Sequence, residues 1–214
     1  MKLLSVNVGL PREVTWRGQI VRTSIWKNPV DGRVAVSTLN LAGDEQSDLS
    51  VHGGAEKAVY VYPSEHYDYW RTQLPGIELP WGVFGENFTT QGLLEETVQI
   101  GDRLHTGSAQ FAVTQPRMPC FKLEIRFGRP DMVKRFLRSG RTGFYLSVLG
   151  EGSVAAGEAI EHVAGGTGVS VRDIVSLYGT DADNQPLLRR VSELSALPQG
   201  WRDYFRKRLW QPDA

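Results

Sequence analysis

The sequence predicts a mainly β protein: a closed or nearly closed barrel with a few helices, followed by a small helical domain. Short alternating segments rich in β-branched and aromatic residues recur through the first 164 residues. Most of the 23 glycines fall in the same stretch. After Gly165-Gly166-Thr167-Gly168 the apolar spacing turns helical. Many short strands with few helices favour closure, which removes exposed sheet edges.

The elements follow in order. Val21, Thr23 and Ile25 alternate with Arg22 and Ser24, and Val34 and Val36 share one side of a strand. Lys57-Ala58-Val59-Tyr60-Val61-Tyr62 is a strong strand signal. Ser64 can cap a helix that places Tyr67, Trp70 and Leu74 on one face and ends at Pro75-Gly76. Further strands are expected at 97–100, 110–114, 144–149 and 156–163, punctuated by Gly101-Asp102 and Thr106-Gly107. Residues 131–139 bring Met132, Val133, Phe136 and Leu137 together, with Gly140 suited to the C′ position.

Residues 165–168 read as a flexible linker, which divides the chain into a barrel over 1–164 and a three-helix domain over 165–214. Ser170 with Asp173 resembles a capping box. Asn184 and Pro186 start a second helix carrying Leu187, Leu188, Val191 and Leu194, and Trp201, Phe205 and Leu209 mark a third. Such a small core has to dock on the barrel or on another subunit, so a homodimer is compatible with it.

Composition excludes several classes. The chain has 214 residues, with 24 Lys+Arg against 24 Asp+Glu. A net charge of zero argues against a grip on nucleic acid polymers. No apolar run approaches the ~20 residues of a membrane span. The N-terminus turns polar too soon for a secretory signal. The chain holds one cysteine, Cys120, which fits a reduced, cytoplasmic setting and leaves no cluster for structural zinc.

Three segments can carry chemistry. In Gln115-Pro116-Arg117-Met118-Pro119-Cys120-Phe121-Lys122 two prolines stiffen a loop that follows a strand ending at Thr114. They set Cys120 before a short helix and beside Arg117 and Lys122, which favours a thiolate. A thiolate is a nucleophile or a soft metal ligand, and the alternative is an inert buried cysteine. In Asp48-Leu49-Ser50-Val51-His52-Gly53-Gly54, with Lys57 just beyond, glycine backbone N–H groups, His52 and Lys57 can meet an anion; a plain glycine turn is the competing reading. In Phe84-Gly85-Glu86-Asn87-Phe88-Thr89-Thr90, Asn87 can hydrogen-bond a polar ligand or simply satisfy its own loop. Lys27 reads as a solvated cation at a strand end, His66 and His105 as surface or helix-face residues and His162 as a late-strand residue, and the four histidines have no metal-site spacing.

Taken in order, Ile25-Trp26-Lys27-Asn28-Pro29-Val30, Gly43-Asp44-Glu45-Gln46-Ser47-Asp48, Val51-His52-Gly53-Gly54, Lys57-Ala58-Val59-Tyr60, Gly85-Glu86-Asn87-Phe88 and Pro116-Arg117-Met118-Pro119-Cys120 resemble the MOSC domain. The helical tail resembles the three-helix domain of the bacterial YiiM-type subfamily. The resemblance implies a MOSC-type β-barrel that binds molybdenum cofactor (molybdopterin), with Cys120 as metal ligand. It implies Lys27, His52, Lys57 and Arg117 around the pterin and its phosphate, and Asn87 and Thr114 as hydrogen-bonding wall residues. The implied activity is reduction of N-hydroxylated compounds such as 6-hydroxylaminopurine. Electrons would come from a separate flavoprotein, since the chain has neither iron–sulfur cysteines nor a dinucleotide fingerprint. Two other classes fit the residues alone: a sulfur-transfer or hydrolytic enzyme with Cys120 as nucleophile and His52 as base, and a non-enzymatic cofactor- or anion-binding module.

Overall fold

The Val59-Tyr60-Val61-Tyr62 run divides the interior in two. In the computed structural model, which describes residues 1–47 and 53–209, it forms strand β6 (Val59–Pro63), buried along its whole length. Strand periodicity sends alternate side chains to opposite faces. Val59 and Val61 join the barrel core with Leu3, Phe88, Phe111 and Phe144. Tyr60 and Tyr62 join a second core with Trp70, Phe84 and Phe136. That second core packs the helices α1 (Glu65–Gln73), α2 (Phe121–Phe127) and α3 (Met132–Ser139) onto the sheet.

Among the described residues the other strands are β1 (Lys2–Val8), β2 (Arg12–Trp16), β3 (Gln19–Thr23), β4 (Asn28–Pro29), β5 (Arg33–Val36), β7 (Phe88–Gln91), β8 (Arg103–Thr106), β9 (Ala109–Pro116), β10 (Phe144–Gly150), β11 (Gly152–Ala155) and β12 (Glu161–Val163). Seven of them join β6 in one eight-stranded sheet, in the order β12-β8-β9-β10-β6-β7-β1-β4. Only its β6–β7 pair is parallel. The sheet curls until its ends meet, because Leu3 N–H donates to the Glu158 carbonyl at 2.9 Å and Ile160 N–H to the Met1 carbonyl at 3.0 Å. β5 and β11 pair separately, and β2 and β3 form a hairpin. The hairpin loop is Arg17-Gly18, both at positive φ, as a two-residue loop of that hand requires.

Three helices follow: α4 (Val171–Tyr178), α5 (Gln185–Glu193) and α6 (Gln199–Arg206). The Ser170–Asp173 capping box is formed in both directions. Ile174, Leu177, Leu188, Val191 and Phe205 are continuous with the barrel core, so the small helical unit docks on its own barrel.

Several elements differ from the sequence reading. Residues 165–168 are bonded rather than free: Gly165 N–H donates to Asp102 at 2.6 Å and Gly168 N–H to the Gln99 side chain at 2.6 Å. A Cβ at Gly165 would lie 2.6 Å from the Gly101 carbonyl oxygen, so this glycine serves close approach rather than flexibility. Residues 97–100 are not a strand. Thr97 and Val98 N–H groups turn back to the Leu94 carbonyl, and Gln99 makes a single bridge to Ser170. The expected strand over 156–163 is reduced to its last three residues, β12, because a turn at 156–157 follows β11. Of the surface and helix-face readings of His66 the second holds: it lies on the buried face of α1, 2.7 Å from the buried Glu95 carboxylate. No helix among the described residues is long and apolar enough to cross a membrane.

Asp131, at the N-cap of α3, is partly exposed and lies 2.5 Å from Arg135 and 3.2 Å from Arg129. Hydrogen bonds from Arg135, then Arg129, pull its carboxyl from 3.8 down to about 2. The folded value is depressed, so the stabilisation is present above the unfolded value of 3.8 and fades as pH falls through about 2. A carboxyl NMR titration should place its midpoint near 2, and in an Arg135→Ala variant the midpoint should rise.

Candidate functional site

The outer face of β6 and β10 is the floor of a cleft. Tyr60 and Tyr145 are register partners across these strands, with ring centroids 5.3 Å apart. Arg117 follows the end of β9, where Pro116 has no N–H to extend the ladder. Its backbone N–H donates to the Gly143 carbonyl at 3.2 Å. Its guanidinium donates to the Phe84 carbonyl at 2.8 Å and the Tyr60 hydroxyl oxygen at 3.2 Å. It also sits 4.7 Å from the centroid of the Tyr60 ring. Burial works against this charge, but Tyr60, Tyr145 and Cys120 more than offset it and hold the Arg117 pKa above its ordinary value. Burial, the largest influence on the two phenols, pushes both up, so each stays protonated at neutral pH.

A buried polar knot forms one wall. Lys27 and Asp44, both under a tenth exposed, are ion-paired. Asp44 also accepts the Gly9 N–H and the Asn87 amide, each at 2.9 Å. The Asn87 side-chain oxygen takes the Tyr60 N–H at 3.0 Å. Desolvation lowers the Lys27 pKa, and its attraction to Asp44 restores only part of it. The opposite wall is the proline-stiffened loop with Met118, Cys120 and Lys122. Cys120 is the N-cap residue of α2 and is partly exposed. Lys57 ends the Ala55–Lys57 turn and lines the cleft, with its pKa lowered by burial.

The cleft has roughly 680 Å³ of empty space open to solvent. Lys27, Lys57, Arg117 and Lys122 face it, against the carboxylates of Asp44 and Glu45. Five residues singled out in the sequence therefore meet there: Lys27, Lys57, Asn87, Arg117 and Cys120. Thr114 does not line it. Its hydroxyl donates to the Glu56 carbonyl at 2.7 Å and so anchors the turn that carries Lys57. His52 lies outside the described residues. The Gly54 N–H, expected to meet an anion, donates to the Gln46 side chain at 2.8 Å. Sequence reasoning missed Asp44, Tyr60 and Tyr145 as individual site residues. A lysine destined for burial needs a carboxylate. Gly43-Asp44 stood in the motif, but its contact with Lys27 is tertiary.

The MOSC domain model matches residues 48–161, and the model of the YiiM-like three-α-helix domain matches residues 169–211. The protein YflK of Bacillus subtilis is 41% identical over 207 residues, 96% of this chain and 93% of that protein. A protein of Gibberella moniliformis named "Reductase" is 38% identical over 161 residues, 74% of this chain but 28% of that longer protein. The crystal structure of YiiM from Geobacillus stearothermophilus superposes with a TM-score of 0.81 at 36% identity, covering 98% of this chain and 99% of that one.

Proposed function

The chain belongs to the MOSC family, in its YiiM-like branch, and on that basis we propose that it is a molybdenum-cofactor-dependent reductase of N-hydroxylated bases such as 6-hydroxylaminopurine. Its electrons come from a separate flavoprotein, in the cytoplasm. The observation that carries this reading is the meeting of the chain's one thiol with four cationic side chains in one cleft.

The donor set fits a metal that arrives on a phosphate-bearing organic cofactor. Cys120 is a soft ligand, suited to a metal that already carries other soft ligands. Among the described residues no three His, Cys, Asp or Glu side chains converge as a metal site. Lys57, Arg117 and Lys122 would hold the anionic part of the cofactor, and Asn87 would keep its wall rigid through Asp44. When bound, the cofactor supplies a two-electron centre beside the substrate.

The chain's own residues supply binding and protons. Reducing R–NHOH to R–NH2 and water breaks the N–O bond and consumes two electrons and two protons. Lys57 holds a proton at Nζ that burial makes easier to release. Tyr145 keeps its phenolic proton and can donate a hydrogen bond without carrying charge into the cleft.

Protein made in cofactor-competent cells should contain molybdenum. Lys57→Ala should lower cofactor retention about ten- to hundredfold by removing one charge-assisted contact. Metal analysis after gel filtration reads this directly. Wild-type protein without molybdenum, or equal retention in the variant, would count against the reading.

A further inference from the structure

A second cleft, of roughly 800 Å³, opens beside the first. The two share Lys57 and Met118 as lining residues, so they adjoin. One wall comes from the barrel: Lys57 with its neighbour Glu56, Gln115 at the end of β9, and Met118. The other wall comes from the three-helix unit: Tyr178 at the end of α4, and Trp201 and Tyr204 on α6. Trp201 Nε1–H donates to the Gln115 side-chain oxygen at 2.7 Å and so fixes one wall against the other.

The aromatic wall is unusual for a surface. Tyr178 is 45% exposed and Tyr204 40% exposed. Their rings lie 5.9 Å apart, tilted by 31°, and both meet the Trp201 ring edge-on, at 6.2 and 6.3 Å. Facing them are a carboxylate and an ammonium, at Glu56 and Lys57. We propose that this cleft is the substrate subsite for a planar heteroaromatic base, which the Tyr178 and Tyr204 faces stack, with Trp201 edge-on beside them, and the Glu56–Lys57 edge orients. The inference rests on the proposed reductase activity and adds where the base sits and which domain selects it.

Three features favour this ligand. Aromatic side chains offer π faces on which any base can stack, and stacking is worth most to flat rings. A base edge carries both N–H donors and ring-nitrogen acceptors, which a carboxylate beside an ammonium can match. The shared Lys57 and Met118 place the cleft next to the pocket that holds Cys120, so a base seated there can direct its exocyclic N–O group into that pocket. The three-helix unit thereby forms half of the substrate site.

Binding and turnover test separate parts of this. The first measurement is calorimetric titration of the full chain with adenine, which cannot be reduced at an N–O bond. Tyr178→Ala and Tyr204→Ala should each weaken binding by about tenfold, and Tyr178→Phe, which keeps the ring, should restore it. In cofactor-loaded protein, Tyr178→Ala should raise the KM for 6-hydroxylaminopurine far more than the KM for a small aliphatic amidoxime. A wild-type chain that does not bind adenine at millimolar concentration would overturn the proposal, as would equal affinity in wild type and both alanine variants. A rise confined to the KM for the flavoprotein donor would also overturn it and make the cleft a protein-docking surface. Ring-dependent adenine binding without any N–O reduction would uphold the subsite and defeat the reductase reading instead.

Discussion

Cys120→Ser is expected to remove reduction of N-hydroxylated substrates by more than about a hundredfold while leaving the protein folded. Loss of a supporting residue around a metal ligand already costs about ten- to a hundredfold, and loss of the ligand itself exceeds that. A hydroxyl is a harder donor than a thiolate and stays protonated at neutral pH. The fold should not suffer. Cys120 is partly exposed, belongs to neither apolar core, and occupies the N-cap of α2 without a side-chain capping bond. Serine is a preferred N-cap residue, so thermal unfolding should occur at the wild-type temperature or slightly above it. Activity assays with loaded protein and a competent donor, run beside melting curves, check both halves. A variant that folds, holds molybdenum and turns over at the wild-type rate would return Cys120 to an inert role.

Asp44→Ala should be the most destabilising change in the polar knot, at about 3–5 kcal/mol. Removing that carboxylate leaves the buried Lys27 ammonium without its ion pair and takes an acceptor from Gly9 N–H and the Asn87 amide. Adding Lys27→Met should recover much of the loss, because the cost lies mainly in the stranded charge. Urea unfolding of the single and double variants measures both steps. Equal stability of the two would show that the pair contributes through the Gly9 and Asn87 bonds rather than through charge.

Local chemistry made much of the fold legible. The Val-Tyr-Val-Tyr alternation marked β6, Gly140 marked the end of α3 with φ +64°, and Ser170 with Asp173 marked the start of α4. Long-range pairing was not legible. β7 is Phe88–Gln91, a stretch of Thr and Gln that reads as loop, and it is a strand because it lies between β6 and β1. Residues 97–100 carry β-type residues, but their one strand-like pairing is the single bridge from Gln99 to Ser170, ahead of α4. His66 could read as a surface or a helix-face residue because its partner Glu95 is 29 positions away.

The site divides in the same way. Cys120 and Arg117 could be found because prolines and cations crowd one short loop. Lys27, Lys57 and Asn87 entered through motif order, and the structure places all five at one cleft. Tyr60 and Tyr145 escaped notice because aromatic residues in strands ordinarily read as core. Here burial raises their pKa values and Arg117 lies against them, which makes them part of the cleft floor. Trp201 was read, with Phe205 and Leu209, as marking the last helix; Tyr178 and Tyr204 beside it were not singled out, and Trp201 reaches the barrel through its hydrogen bond to Gln115.

The proposed chemistry stands or falls on whether the Cys120 sulfur binds the metal. The chain has one cysteine, so replacing cysteine by selenocysteine during expression labels that atom alone. Selenium-edge X-ray absorption on the cofactor-loaded protein should then show molybdenum as a direct neighbour of selenium. A spectrum from a protein equally loaded with molybdenum in which selenium has carbon as its sole heavy neighbour would contradict it.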